Sequence, residues 1–277
     1  MAQQEFLYSH NSIVITLILF ALIILFNELS FRTGKFIQHK TNDELKSLTG
    51  SVQASILGLL ALLLGFTFSM AMQRFDNRNL ALIDEVNAIG TVALRVHLLE
   101  QQYHRDTYQK LDEYIDLRIV LGKTDLSETA TRKQYNNTLT KLQYELWTLA
   151  TLAASSDPRP TTTGAYINAL NAMFDAQSKR NALLQMHVPE VVLLLLFIVF
   201  IASLSIMGYS SGLSNKRLAI PTVLIAFLIA MIVFIIIDLD RPKRGLIQVN
   251  QQIMQELKES MRDNLLKTPL AELETRS

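Results

Sequence analysis

The sequence predicts an all-α membrane protein: four transmembrane helices, a helical aqueous domain between the second and third, and a helical C-terminal tail. Three observations lead there. Charged residues make up only 18% of the 277 and apolar ones 49%, where a soluble domain averages about 25% charged. The charge is concentrated between four apolar blocks rather than spread evenly, as in a membrane protein with a sizeable aqueous part. Glycine (10) and proline (6) are scarce, so long uninterrupted helices are expected.

The first block, Ile13–Phe26, is short for a span, and Phe6–Tyr8 and Asn27–Phe31 extend it toward the roughly 20 residues that cross a hydrocarbon core. No Lys or Arg precedes it and no small-x-small site follows, so it is expected to be a retained helix rather than a cleaved signal. The second block is Val52–Met72, the third Val188–Met207 and the fourth Leu218–Ile237. Pro221 lies in the first turn of the last, where its missing N–H costs nothing. Lone spans must satisfy their own backbone polar groups, which makes helices the default.

Four spans put both termini on one side. Six bases (Arg32, Lys35, Lys40, Lys46, Lys216, Arg217) flank the membrane on the hairpin side. Seven (Arg74, Arg78, Lys179, Arg180, Arg241, Lys243, Arg244) flank the other. Loop charge therefore does not choose an orientation.

Residues 73–187 form the insert, with 13 basic and 13 acidic residues. Nothing breaks the helix after block two. Leu80, Ile83, Val86, Ala93 and Leu98 continue an apolar stripe, so span two is expected to run well past the membrane. A second helix is predicted over about 105–121, with Leu111, Tyr114, Ile115 and Leu117 inward and Gly122 as its stop. A third runs over about 127–154, starting at Ser127 and carrying Leu139, Leu142, Leu146, Trp147 and Leu149. The loop 155–164, SSDPRPTTTG, is the clearest punctuation in the chain. A fourth helix, 165–187, leads into span three. The tail, 245–267, repeats Leu246, Val249, Ile253, Leu257 and Met261 at helical spacing, and such a stripe is expected to pack on the insert or on a neighbouring subunit. The chain thus divides into 1–72, 73–187, 188–238 and 239–277.

The chemistry is narrow. There is no cysteine, which excludes disulfides, thiolate nucleophiles and Cys-type metal centres. No Gly-x-Ser-x-Gly, glycine-rich phosphate loop or His-Glu-x-x-His occurs. No catalytic residue, cofactor or metal is therefore assigned. His97, Glu100 and His104 fall at i, i+3 and i+7 and could present a metal from one helix face, but such triplets arise often by chance and a solvated face is the simpler reading. A net charge of +1 offers no field for nucleic acid.

Block two is the informative span. Ala54, Gly58, Ala61 and Gly65 form a small-residue stripe of the kind that lets helix backbones approach closely. If this span packs around an axis with copies of itself, Leu62, Phe66, Ser69 and Met70 point toward a lumen, and an apolar constriction can gate by dewetting. Asp238 and Asp240, followed by Arg241, Pro242, Lys243 and Arg244, either anchor the membrane boundary or serve a pore mouth or subunit contact.

The segment Leu62–Arg78, LLLGFTFSMAMQRFDNR, resembles the second span of the bestrophin channels through Gly65, Phe66, Ala71, Arg74 and Phe75. Asp238-Leu239-Asp240-Arg241-Pro242 is similar to their acid-aliphatic-acid-x-Pro motif, and Tyr209-Ser210 with Leu213 adds a weaker match. The stretch 57–71 together with Asp84–Arg95 is closer still to bacterial bestrophin-like proteins, and the resemblance covers most of the chain. It implies a homopentameric ion channel with cytosolic termini and a narrow apolar neck lined by the second span. The neck positions fall on Gly58, Leu62 and Phe66. Gly58 departs from the bulky residue usual there, which implies a neck that is either shorter or shifted toward Met70. Phe75 and Asp76 stand where the family has paired tryptophans. The calcium-binding acids of animal members are not matched beyond Asp238 and Asp240. The expected partners are copies of the chain itself, inorganic ions and the lipid bilayer of a bacterial inner membrane; Ser69, Arg74, Asp238 and Asp240 are the mouth or contact residues. The rival reading is a membrane-anchored helical sensor or interaction protein without channel activity.

Overall fold

The computed structural model describes residues 10–124 and 129–267. Among these the chain forms eight α-helices and no strand: α1 Ser12–Ile37, α2 Asp43–Arg95, α3 Gln101–Lys123, α4 Thr129–Ser156, α5 Thr163–Gln185, α6 Glu190–Leu213, α7 Ala219–Leu239 and α8 Gln252–Lys267. Four helical stretches are long and apolar enough to cross a membrane: Ser12–Lys40, Lys46–Leu98, Thr163–Leu213 and Ala219–Leu239. The chain divides into two compact units. One holds the residues up to Phe75 with His187–Ile247; the other holds Asp76–Met186 with the residues from Gln248 on.

In the first unit α1 is longer than its apolar block. Its 26 residues reach about 39 Å. The Asn11 carbonyl oxygen of the side chain accepts from the Ile13 N–H (2.8 Å) and caps its start. The flank Phe6–Tyr8 lies outside the described residues. Ile15, Leu19 and Ile23 of α1 bury against Leu196, Phe200 and Leu204 of α6, Ala226, Ile229 and Val233 of α7, and Leu60 of α2. At the far end of α1 and α6 the packing becomes backbone on backbone. A Cβ added at Gly208 would overlap the Asn27 carbonyl, one at Gly212 the Phe31 carbonyl, and one at Gly34 the Tyr209 carbonyl. The Asn27 side chain also donates to the Leu204 carbonyl (2.6 Å). The helix α6 ends on Asn215 at φ 47°, a left-handed position that asparagine tolerates well. There the N–H groups of Asn215 and Lys216 return to the Gly212 and Ser211 carbonyls. Glu28 holds two hairpin-side bases, Arg32 and Arg217.

In the second unit the long α2 turns inward a face that takes Ala93, and half of Val86, from the expected apolar stripe but leaves the rest outside. Leu80, Ile83 and Leu98 are exposed, whereas Arg78, Leu82, Glu85, Ile89, Val92 and Val96 are buried. Two charged residues belong to the inner face, which disguises it. The inner face of α3 carries Thr107 and Arg118 beside Leu111, Tyr114 and Ile115. Gly122 does not stop α3; it lies in the last turn, where a Cβ would overlap the Gln251 side chain. In α4, Leu139, Leu142 and Leu146 bury as expected, but Trp147 is exposed. The expected start at Ser127 lies outside the described residues.

The tail helix begins later than its spacing implied. Residues 245–251 are not helical; Leu246 is exposed, and α8 starts where Asn250 Oδ1 accepts from the Gln252 N–H (2.9 Å). Val249, Met254 and Met261 are buried, Leu257 lies against Gly90, and Lys258 pairs with Asp116. The tail therefore packs on the insert of its own chain.

Candidate pore-lining helix and its polar surroundings

A single helix of 53 residues carries every expected neck position. One side of its apolar stretch is covered by its own chain: Leu60, Thr67 and Ala71 are buried. Thr67 returns its hydroxyl to the Leu63 carbonyl (2.7 Å), so this polar group needs no partner from outside. The other side is uncovered. Leu62 is 54% exposed, Phe66 62% and Met70 37%, and Gly58 and Ser69 are exposed with them. No atom lies within 4 Å of where a Cβ would stand on Gly58 or Gly65. The small-residue stripe is thus not used for packing inside one chain. Gly58, Leu62, Phe66 and Met70 follow an i, i+4 ridge, so their side chains stack along the helix. Arg74 continues the ridge by another four residues. It is half-buried and forms no ion pair with a described residue.

Asp238 and Asp240 are committed within the same unit, and both are fully buried. The helix ends between them, as Pro242 requires, so the two carboxylates diverge. Asp238 accepts from the Ile247 N–H (2.8 Å) and the Ser12 hydroxyl (3.5 Å), and Gly245 leaves no room for a side chain against it. Asp240 accepts from the Val188 N–H (2.6 Å), just ahead of α6. Its carbonyl accepts from His187 Nδ1 (3.0 Å), which fixes the proton on that nitrogen. The pair thus ties the ends of α1, α6 and α7 together.

The expected histidine face does not form, because α2 ends at Arg95 and a 3-10 turn, Val96–Leu98, follows. The corner brings the His97 and His104 rings to 5.6 Å edge-on, but for local bonding. Tyr108 donates to the Ala93 carbonyl and meets His97 Nε2 (both 2.9 Å), while His104 Nε2 reaches the Leu99 carbonyl. Glu100 is engaged by Gln102. Among the described residues no group of three His, Cys, Asp or Glu is placed to hold a metal ion.

A buried ionic cluster in the second unit escaped the sequence reading. Glu85 takes Arg118 Nε at 2.5 Å and Nη2 at 3.1 Å on its two oxygens, and Arg180 Nη1 at 2.5 Å. Arg180 Nη2 donates to Gln251 Oε1 (2.7 Å), and Arg118 Nη1 to Asn181 (3.2 Å). Burial pushes Arg180 below the usual arginine range and pushes the Tyr114 phenol up. Arg78 caps the end of α5 through the Leu183 (3.2 Å) and Met186 (2.6 Å) carbonyls. The available signal was register: Arg78 and Glu85 share a seven-residue spacing with Val92, through Leu82 and Ile89.

A family model described as the Bestrophin-like domain matches residues 20–254. Solved structures of a bacterial bestrophin homolog from Klebsiella pneumoniae share the fold. One variant superposes with a TM-score of 0.66 at 14% identity, covering 91% of this chain and 99% of that one. A structure phased with zinc gives 0.64, 14%, 91% and 99%, and another variant 0.59, 18%, 93% and 97%. No curated protein matches the chain.

Proposed function

The chain belongs to the Bestrophin-like family, and on that premise we propose that it assembles, as a homopentamer, into a passive ion channel of the bacterial inner membrane lined by α2. The observation that carries this reading is the uncovered ridge Gly58, Leu62, Phe66 and Met70 on a helix whose opposite face is packed. A symmetric ring turns one such helix per subunit into a lumen. Leu62 and Phe66 form its narrowest ring, with Met70 below and Ser69 beside them. A bare apolar ring resists ions because water leaves it readily and a dehydrated ion is costly in low dielectric. Arg74 repeats around the mouth, which Asp238 and Asp240 hold in shape from within each subunit. No bond is made or broken in this function.

The test joins mass measurement in detergent with planar-bilayer recording of the purified protein. A closed oligomer is expected. Leu62→Ala with Phe66→Ala should raise its conductance or open probability without preventing assembly. A monomer, or an intact oligomer whose double variant conducts no differently from its parent, would overturn the channel. The rival, an interaction protein, draws support from Leu80, Ile83 and Leu94, apolar side chains exposed in the second unit; it would then take the lead.

The second unit and both termini are assigned to the cytosol in this reading. The segment Arg159–Thr161 is exposed and accepts a reporter. Activity of a cytosol-dependent reporter there is expected, and activity of a periplasm-dependent one would reverse the orientation.

A further inference from the structure

The buried ionic cluster of the second unit is not neutral. Two guanidinium groups, Arg118 and Arg180, each 3% exposed, share one carboxylate, Glu85, at 0%. One positive charge is left in a low-dielectric interior, where an uncompensated ion is costly. Beside it stands a hydroxyl with nothing to bond. The Tyr114 side chain is fully buried, and its oxygen has no hydrogen-bond partner among the described residues. We propose that Tyr114, Arg118 and Arg180 hold a small monovalent anion of the halide class inside the second unit.

Position, field and donor count all point to such a ligand. Tyr114 stands one turn before Arg118 on the inner face of α3, the direction in which helical side chains lean. The phenol lies within the field of the whole cluster. Burial raises it most, Glu85 raises it further, and Arg118 and Arg180 pull against them. Arg180, lowered chiefly by burial, has the Tyr114 phenol among the groups acting on it. Tyr166, another buried phenol without a partner, is raised by burial alone. A water satisfies a group of that kind, but a neutral molecule does not offset the charge beside Tyr114. The remaining groups at the site are donors. Arg180 gives Nη1 to Glu85 and Nη2 to Gln251, and its Nε has no acceptor among the described residues. Arg118 gives Nε and Nη2 to Glu85 and Nη1 to Asn181, which leaves the second N–H of each terminal nitrogen. Both Glu85 oxygens are already taken. A ligand surrounded by N–H and O–H donors must accept from all of them, and an anion does so most strongly. The other buried base of α2, Arg78, donates to the Leu183 and Met186 carbonyls and is no part of the site. The site lies within one subunit, so it stands whether or not the protein conducts.

The purified full-length protein is heated, and its hydrogen exchange is followed, in sodium chloride, sodium bromide and sodium gluconate at equal ionic strength, so that screening is the same. Gluconate is too large for a closed interior site. The Tm should rise by about 3–6 °C between gluconate and a chloride concentration tenfold above its dissociation constant, and bromide should act alike. The added protection should fall on the amides of α3 and α5, with none on α1, α6 and α7; this readout needs no variant. Tyr114→Phe removes only the hydroxyl. In gluconate it should be as stable as the parent or more so, because it deletes an unpartnered buried group. In chloride it should be the less stable of the two, because the rise is lost. A tyrosine with a packing role alone does not reverse sign with the anion. A parent indifferent to chloride and bromide would show that water fills the site and would overturn the proposal. So would protection spread evenly over both units, or a Tyr114→Phe variant that keeps the full chloride response, either of which would mean an adventitious ion only.

Discussion

Glu85→Gln is expected to lower the stability of the second unit by about 3–5 kcal/mol, the usual cost of removing one partner from a buried ion pair. The substitution keeps the shape and removes the charge. Glu85 is the shared counter-ion of Arg118 and Arg180, both 3% exposed. Without it two guanidinium groups face each other in a low-dielectric interior, where burial already disfavours the charged form of Arg180. Hydrogen exchange locates the effect. Amides of α3, α5 and α8 should lose protection together, because Arg118, Arg180 and Gln251 are links in one network. Amides of α1, α6 and α7 should not change. A second variant separates charge from packing: Glu85→Leu with Arg118→Met and Arg180→Met should recover much of the loss, since apolar replacements of a buried ionic group are often neutral. Uniform protection in Glu85→Gln would mean that water, rather than the carboxylate, balances the arginines.

That cluster also marks where a single sequence stops being legible. The four spans were readable because hydropathy alone decides them, and the ridge on α2 because helical spacing decides it. The inner face of α2 beyond the membrane was not. Its apolar residues alternate between faces, and the face that packs carries Arg78 and Glu85. Leu80 and Ile83 look like core by type but are exposed, since pairing of distant charges, Glu85 with Arg118 and Arg180, decides which side turns in. The tail start was misplaced for a similar reason. Leu246 and Val249 have helical spacing, but the Ile247 N–H is spent on the Asp238 side chain, nine residues back, and Gln251 on Arg180, 71 residues away. Gly122 reads as a terminator and is instead a space for Gln251.

Glycine pairs on α6 and α2 are expected to respond with opposite sign. Gly208 and Gly212 are four apart on α6, and Gly58 and Gly65 are seven apart on α2; no glycine has a positive φ among the described residues. Helix propensity alone therefore predicts that alanine stabilises each position by about 0.5–1 kcal/mol. At Gly208 and Gly212 the new methyl would meet the backbone carbonyls of Asn27 and Phe31, and a backbone cannot rotate away as a side chain can. Overpacking of this kind costs about 1–3 kcal/mol, so Gly212→Ala should destabilise the first unit, and Gly208→Ala with Gly212→Ala should do so more strongly. Detergent-resistant thermal unfolding reads the sign directly. At Gly58 and Gly65 the same methyl meets nothing in its own chain. Alanine there should leave the isolated subunit as stable as before or slightly more so. If neighbouring copies close in on this stripe, Gly58→Ala with Gly65→Ala will weaken the assembly instead, visible as a shift toward monomer on dilution in detergent. A stable variant with unchanged mass distribution would place the stripe against lipid or an open lumen, and the subunit contacts would then have to lie elsewhere on α2.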